Sequence, residues 1–140
     1  MVQRQASAER VDAVHLGDST DFVDIHAQDG WLEIALVGAP DGDHIYRGMR
    51  QGYASGWITA AMPTLVDVLA FSGRIDWAAI KAVAQMTEWG RGQSPSRVAY
   101  LTRDPLFTLV VKVVAVLFPN SLHRVFGNRH AAMVWLQASP

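Results

Sequence analysis

Residues 104–119 read Asp104-Pro105-Leu106-Phe107-Thr108-Leu109-Val110-Val111-Lys112-Val113-Val114-Ala115-Val116-Leu117-Phe118-Pro119. An Asp at a cap position followed by Pro at the first helical position predicts a helix start, and Pro119 predicts its end. The many valines also suit a strand, but the Asp-Pro start and the length favour a helix over 105–118. Only Thr108 and Lys112 are polar inside it. A helix this apolar must hide nearly all its surface in a core, against a second subunit or around an apolar ligand.

The chain before this helix predicts an N-terminal β-hairpin. Val23, Ile25 and Ala27 alternate with polar residues, as in a half-exposed strand, and the sequence returns from Trp31 to Val37 after an Asp-Gly turn. Residues 1–20 are polar and are predicted to be a loose tail, with a short edge strand over 11–16 as the alternative.

Helices and strands alternate through the remainder of the chain. The predicted elements are a helix that starts at Asp41-Gly42-Asp43 and runs to about Ser55, a strand over 65–71, a helix from Asp76 to Gly90 or Gly92, a strand over 97–102, the apolar helix, a strand over 122–126 and a helix capped by Asn128. This order predicts one α/β domain over 21–140, with a mixed, mostly parallel sheet of about five strands and about four helices. Glycines at 48, 52 and 56 share one side of the first helix and predict that it lies close on the sheet.

Composition narrows the classes of function. The 140 residues are 50% hydrophobic and 18% charged with net charge −1, which predicts a folded domain without a nucleic-acid surface. Segment 105–119 is shorter than the roughly 20 residues of a membrane span, and the polar N-terminus is not a secretory signal, so we expect a cytoplasmic protein. The chain has no cysteine, no histidine spacing typical of metal sites and no Gly-x-Ser-x-Gly motif. We therefore expect no cofactor and no enzymatic activity.

Polar candidates lie where the predicted parallel strands end, because ligands of open α/β sheets gather there. They are Ser72, Arg74, Asp76, Thr102 and Arg103, together with Asp67 inside an apolar run. The alternative for the first five is helix capping with solvated arginines, since an Asp at each cap opposes anion binding. The alternative for Asp67 is a structural carboxylate that accepts hydrogen bonds from a neighbouring loop or pairs with an arginine.

Apolar candidates surround the helix over 105–118. They are Phe107, Val110, Val111, Val114, Phe118, Tyr53 and Trp57. Space among them would suit a lipid-like molecule. If the helix is partly exposed instead, the same valines predict a dimer interface.

Several strings resemble the SpoIIAA-like family of the STAS superfamily, over about residues 21–137. They are Leu65-Val66-Asp67-Val68, Phe71-Ser72-Gly73, Ile75-Asp76-Trp77, Arg97-Val98-Ala99-Tyr100, Arg124-Val125-Phe126, and Ala132 with Trp135-Leu136. The resemblance implies a non-enzymatic regulatory module of bacterial type that binds protein partners, nucleotides or, in a branch similar to lipid-transfer domains, apolar molecules. Signalling members carry a phosphorylated Ser at the start of the second helix. Here Ser72 precedes that position and Asp76 occupies the cap, so a phosphorylation switch is not expected.

Three hypotheses follow in order. The first is a STAS-like regulatory module that acts through a protein partner or its own dimer. The second is a carrier or sensor of an apolar small molecule beside the helix over 105–118. The third is a small enzyme that uses Asp67, Ser72 or a histidine.

Overall fold

The computed structural model describes residues 12–59, 62–86 and 96–138. Six strands and four helices lie within these ranges. They are β1 (Ala13–Gly17), β2 (Phe22–Gln28), β3 (Trp31–Val37), α1 (Gly42–Ser55), β4 (Thr64–Asp67), α2 (Trp77–Ala84), β5 (Ser96–Leu101), α3 (Pro105–Leu117), β6 (Ser121–Phe126) and α4 (Arg129–Gln137).

The strands form one mixed sheet whose spatial order is the order of the chain. β1, β2 and β3 pair antiparallel, so the predicted hairpin is confirmed, and β3 to β6 pair parallel. The sheet has six strands rather than about five because β1 pairs with β2. The alternative prediction of a short edge strand is therefore confirmed, with β1 at Ala13–Gly17. This strand lies inside the segment 1–20 that was predicted to be a tail. Residues 1–11 of that segment lie outside the described residues.

Three helices cover one face of the sheet and one helix covers the other. Parallel crossovers are right-handed in nearly all proteins, so three successive crossovers in one direction place α1, α2 and α3 on the same face. Met49, Val83 and Val114 from these helices share one core with the sheet. Ala132 and Leu136 of α4 pack into a second core on the opposite face.

Each helix begins at a side-chain cap, as its sequence predicts. The cap oxygen accepts a backbone N–H two or three residues ahead, which satisfies an amide with no partner inside the helix. The caps are Asp41 (3.1 Å), Asp76 (3.0 Å), Asp104 (2.9 Å) and Asn128 (2.8 Å).

Two predicted boundaries differ from the structure. The strand predicted over 65–71 ends at Asp67, and Phe71 contributes only an isolated bridge to Gly38. The helix predicted from Asp76 to Gly90 or Gly92 ends at Ala84, and the predicted end lies outside the described residues. The close approach of α1 is confirmed at Gly48, where an added Cβ would lie 2.6 Å from the Cδ1 of Ile25.

Candidate functional site

The outer side of α3 exposes a row of large apolar side chains. Leu106 is 70% exposed, Leu109 58%, Val113 50% and Val116 77%, and we call these four residues the outer row. Their spacing of three, four and three residues places them on one line along the helix, as in the contact line between paired helices. This side of α3 is therefore not covered by the chain itself, so the expectation that the helix hides nearly all its surface would require a second subunit or a ligand.

One charge lies beside the outer row. Lys112 is exposed beside Val113, and within the described ranges it has no hydrogen bond or ion pair. Thr108, one turn earlier, is exposed as well. The outer side of α3 is thus an apolar line flanked by one unpaired cation.

The inner side of the same helix packs into the protein. Val111, Val114 and Phe118 are buried in the core, and Phe107 and Val110 are half-buried against it. Almost every residue of α3 is apolar on both its inner and its outer side. The two sides therefore differ mainly in whether the rest of the protein covers them.

A largely apolar cavity of about 130 Å³ lies between α2 and the sheet, and we call it the α2 cavity. It exists because the short α2 packs mainly on α1 and α3, so the helix stands off the strands. Its lining residues are Ile34, Leu36, Pro40, Asp41, Gly42, Ile45, Met49, Val66, Val68, Phe71, Arg74, Ile75, Asp76, Ala79, Ile80, Val83, Tyr100, Phe107, Val110, Val114 and Phe118.

The charged lining residues of the α2 cavity are Asp41, Arg74 and Asp76, and all three are exposed. A Cβ added at Gly42, next to Asp41, would lie against the Asp76 carboxylate, and we call these three charged residues the mouth of the cavity. The two carboxylates already accept the capping N–H groups of α1 and α2. Beyond this mouth the walls are apolar side chains.

The one polar side chain deep in the α2 cavity is already hydrogen-bonded. The hydroxyl of Tyr100 lies 2.9 Å from Nδ1 of His123, whose Nε2 lies 3.4 Å from the backbone oxygen of Phe118. Burial raises the pKa of Tyr100 and lowers the pKa of His123. A neutral imidazole suits both contacts, since the Tyr100 hydroxyl donates to Nδ1 and the Nε2–H donates to the carbonyl. This pairing leaves the cavity without an unsatisfied hydroxyl at Tyr100.

The polar candidates do not form one site. Ser72, Thr102 and Arg103 line a second, open groove at the ends of β4 and β5. Thr102 Oγ1 accepts the N–H of Asp104 at 3.1 Å, and Nε of Arg103 donates to the oxygen of Gly127 at 3.2 Å. These contacts are structural.

Asp67 is half-buried at the end of β4 and lines neither the α2 cavity nor the groove. Its Oδ1 accepts the N–H of Leu69 at 3.0 Å. That hydrogen bond is the one expected of a structural carboxylate, and it gives no support to catalysis by Asp67.

The apolar candidates separate into three groups. Phe107, Val110, Val114 and Phe118 line the α2 cavity, whereas Val111 is buried in the core beside it. Tyr53 and Trp57 pack on the core without lining the cavity. Ala79, Ile80 and Val83 of α2 also line the cavity. They were not among the candidates from sequence, because only the position of α2 reveals the space beneath them.

Two other kinds of site are absent from the described part of the chain. No group of three or more His, Asp or Glu side chains there could hold a metal ion. No helix among residues 12–59, 62–86 and 96–138 is long and apolar enough to cross a membrane.

Comparison with known proteins identifies the fold. No family model and no curated protein matches the sequence. One similar solved structure is that of an uncharacterized protein from the DUF3478 family with a SpoIIAA-like fold, from Shewanella loihica PV-4. The two chains are 19% identical, the alignment covers 90% of this chain and 93% of that chain, and the TM-score is 0.56. The chain therefore has the SpoIIAA-like fold that its sequence predicts.

Proposed function

We propose that this protein is a non-enzymatic binding module whose docking surface is the outer row of α3. The observation that carries the proposal is the exposure of four large apolar side chains, between 50% and 77%, in one line. Contiguous exposed apolar surface of this kind is typical of interaction sites, whereas isolated exposed apolar residues are not. The spacing fits a helix as the occupant, because a facing helix presents its own side chains at the same intervals.

The occupant that fits best is an amphipathic helix of a partner protein with an acidic residue opposite Lys112. A second copy of this chain fits less well. If two α3 helices paired antiparallel about a two-fold axis, their Lys112 side chains would come close near the centre of the contact, and like charges there disfavour the pair. A partner carboxylate would meet the same lysine with an attractive interaction.

A synthetic helix tests this proposal with defined chemistry. The probe is a 21-residue amphipathic peptide whose leucines alternate at spacings of three and four residues, with glutamates next to them. Its binding to the protein is followed by fluorescence anisotropy. We expect the Lys112→Glu variant to bind it at least tenfold more weakly and to prefer the peptide in which lysines replace the glutamates. This exchange of preference is specific to the charge beside the outer row.

A matched pair of variants checks the position of the contact. Val116→Asp removes an exposed valine of the outer row, and Val134→Asp makes the same change at a 57% exposed valine on α4. We expect only Val116→Asp to abolish peptide binding. Equal losses of peptide binding in both variants would contradict the proposal. Sedimentation velocity tests the other occupant: if the protein forms concentration-dependent dimers and Val116→Asp abolishes them, the occupant is a second copy of this chain.

A second candidate function rests on the α2 cavity. We propose that the protein is alternatively a carrier or sensor of an apolar small molecule held there. Support comes from the apolar space beside α3, which is open to the surface, because close-packed interiors usually lack such space. Native mass spectrometry of protein purified without detergent is the test, and a species of unchanged mass in every preparation would count against this candidate.

A further inference from the structure

We propose that the α2 cavity takes one neutral, ring-sized apolar molecule rather than a lipid chain. This inference rests on the second candidate function and specifies the class of its ligand. It follows from three properties of the cavity, namely its volume, the chemistry of its walls and the charges of its mouth.

The volume sets the size of the ligand. The α2 cavity measures about 130 Å³. An engineered protein cavity of about 150 Å³ lined by Leu, Ile and Phe stays dry and binds benzene or xenon. Clefts for drug-sized ligands measure about 300–1,000 Å³. A single aromatic ring therefore matches the volume of the α2 cavity, whereas a long acyl chain would have to extend out of it into water.

The walls set the polarity of the ligand. Ile80, Val83 and Val110 are typical of the lining, and the hydroxyl of Tyr100 is occupied by His123. A charged group placed among these side chains would lose its hydration without gaining a partner. The ligand is therefore neutral in the part that enters.

The mouth sets the charge that the ligand can carry. It contains two carboxylates, those of Asp41 and Asp76, and one guanidinium, that of Arg74. A small donor such as a ring N–H would meet an acceptor there. A carboxylate would meet two like charges against one guanidinium, so anionic ligands are disfavoured.

Binding of defined probes tests the inference. Toluene, indole, benzoate and decanoate are titrated into the full chain labelled at its Ile, Leu and Val methyl groups. We expect toluene and indole to bind saturably and to shift methyl resonances of Ile45, Ile80 and Val110, while those of Leu109 and Val113 stay unchanged. Benzoate and decanoate are expected to bind at least tenfold more weakly.

Two alanines on α2 provide a matched control. Ala79 lines the cavity and Ala78 is exposed, so Ala79→Leu fills the space while Ala78→Leu adds the same atoms on the outside. We expect Ala79→Leu to weaken toluene binding at least tenfold and Ala78→Leu to leave it unchanged. If Ala79→Leu does not fold, the methyl shifts of the unaltered protein still locate the ligand.

The outcomes separate the inference from the function on which it rests. Tighter binding of decanoate than of toluene would overturn the ring-sized class and leave a carrier function standing. Benzoate binding as tightly as toluene would overturn the neutral class alone. If no probe binds, both the inference and the candidate function are overturned. If toluene or indole binds and Ala79→Leu does not weaken this binding, the ligand does not lie in the α2 cavity.

Discussion

Two neighbouring valines on α3 are expected to differ sharply in their contribution to stability. Val114 is 8% exposed and lines the α2 cavity, whereas Val113 is 50% exposed in the outer row. The change to Ala is chemically identical at both positions and improves helix propensity by about 0.5 kcal/mol at each. Any difference between the two variants therefore reports their surroundings.

The expected magnitudes follow from burial. Replacing Val by Ala removes the equivalent of about two methylene groups, or about 1.6 kcal/mol when the side chain is fully buried. Val114→Ala loses nearly all of this, and the enlarged cavity adds about 1 kcal/mol, so we expect a net loss of about 2 kcal/mol in the free energy of unfolding. Val113→Ala loses about half the transfer energy, and the propensity gain nearly offsets it, so its change stays within about 0.5 kcal/mol.

Urea unfolding followed by circular dichroism measures both variants. With a slope of about 2 kcal/mol per molar urea, the midpoint of Val114→Ala should fall by about 1 M while that of Val113→Ala hardly moves. We also expect Val113→Ala to weaken binding of the amphipathic peptide and Val114→Ala to retain it under native conditions. Equal destabilisation by both variants would mean that both sides of α3 are covered, and the outer row could then not be a docking surface.

Three further predictions concern other parts of the molecule. Burial lowers the pKa of His123 below its ordinary value of 6.5, so the unfolded chain binds a proton first as the pH falls. We therefore expect the free energy of unfolding to decrease below about pH 6.5. Urea titrations between pH 7 and 5 measure this dependence, which should be weaker in His123→Gln. Loss of the cap in Asp104→Ala should cost about 1 kcal/mol in the same assay, and an unchanged midpoint would show that the Asp does not stabilise α3. Gly38→Ala should lower the melting temperature more than Gly30→Ala. Both glycines have positive φ, but of the two only Gly38 would place a Cβ against other groups, the Oδ1 of Asp21 and the backbone oxygen of Thr20, so equal shifts would contradict this reasoning.

The sequence predicts the elements of this fold because its start signals are local. Asp104-Pro105 marks the start of α3, and Asp41, Asp76 and Asn128 cap the other helices. Each cap acts on amides two or three residues ahead, so a short window of sequence contains the whole interaction. The alternation of apolar and polar residues over Val23–Ala27 identifies β2 because this signal also lies within a short window of sequence.

The features missed from sequence depend on distant residues. An apolar run continues beyond Asp67, yet β4 ends there because pairing depends on the neighbouring strands and not on hydrophobicity. The composition of α3 likewise does not reveal which side of the helix meets the core, because exposed Val113 and buried Val114 are the same type of residue. The volume under α2 depends on how far that helix stands from the sheet, and no pattern within α2 encodes this distance.

The match between strand order and chain order has a consequence for how this protein folds. Each new strand is laid beside the one that precedes it in the sequence. The β1–β2–β3 meander closes short segments of chain, whereas each parallel pair joins residues 25 to 34 positions apart. Short closures cost less entropy, so the meander forms faster than the parallel pairs. The β1–β2–β3 meander can therefore assemble while later residues are still being synthesised, and each crossover then extends the growing sheet at its β6 side.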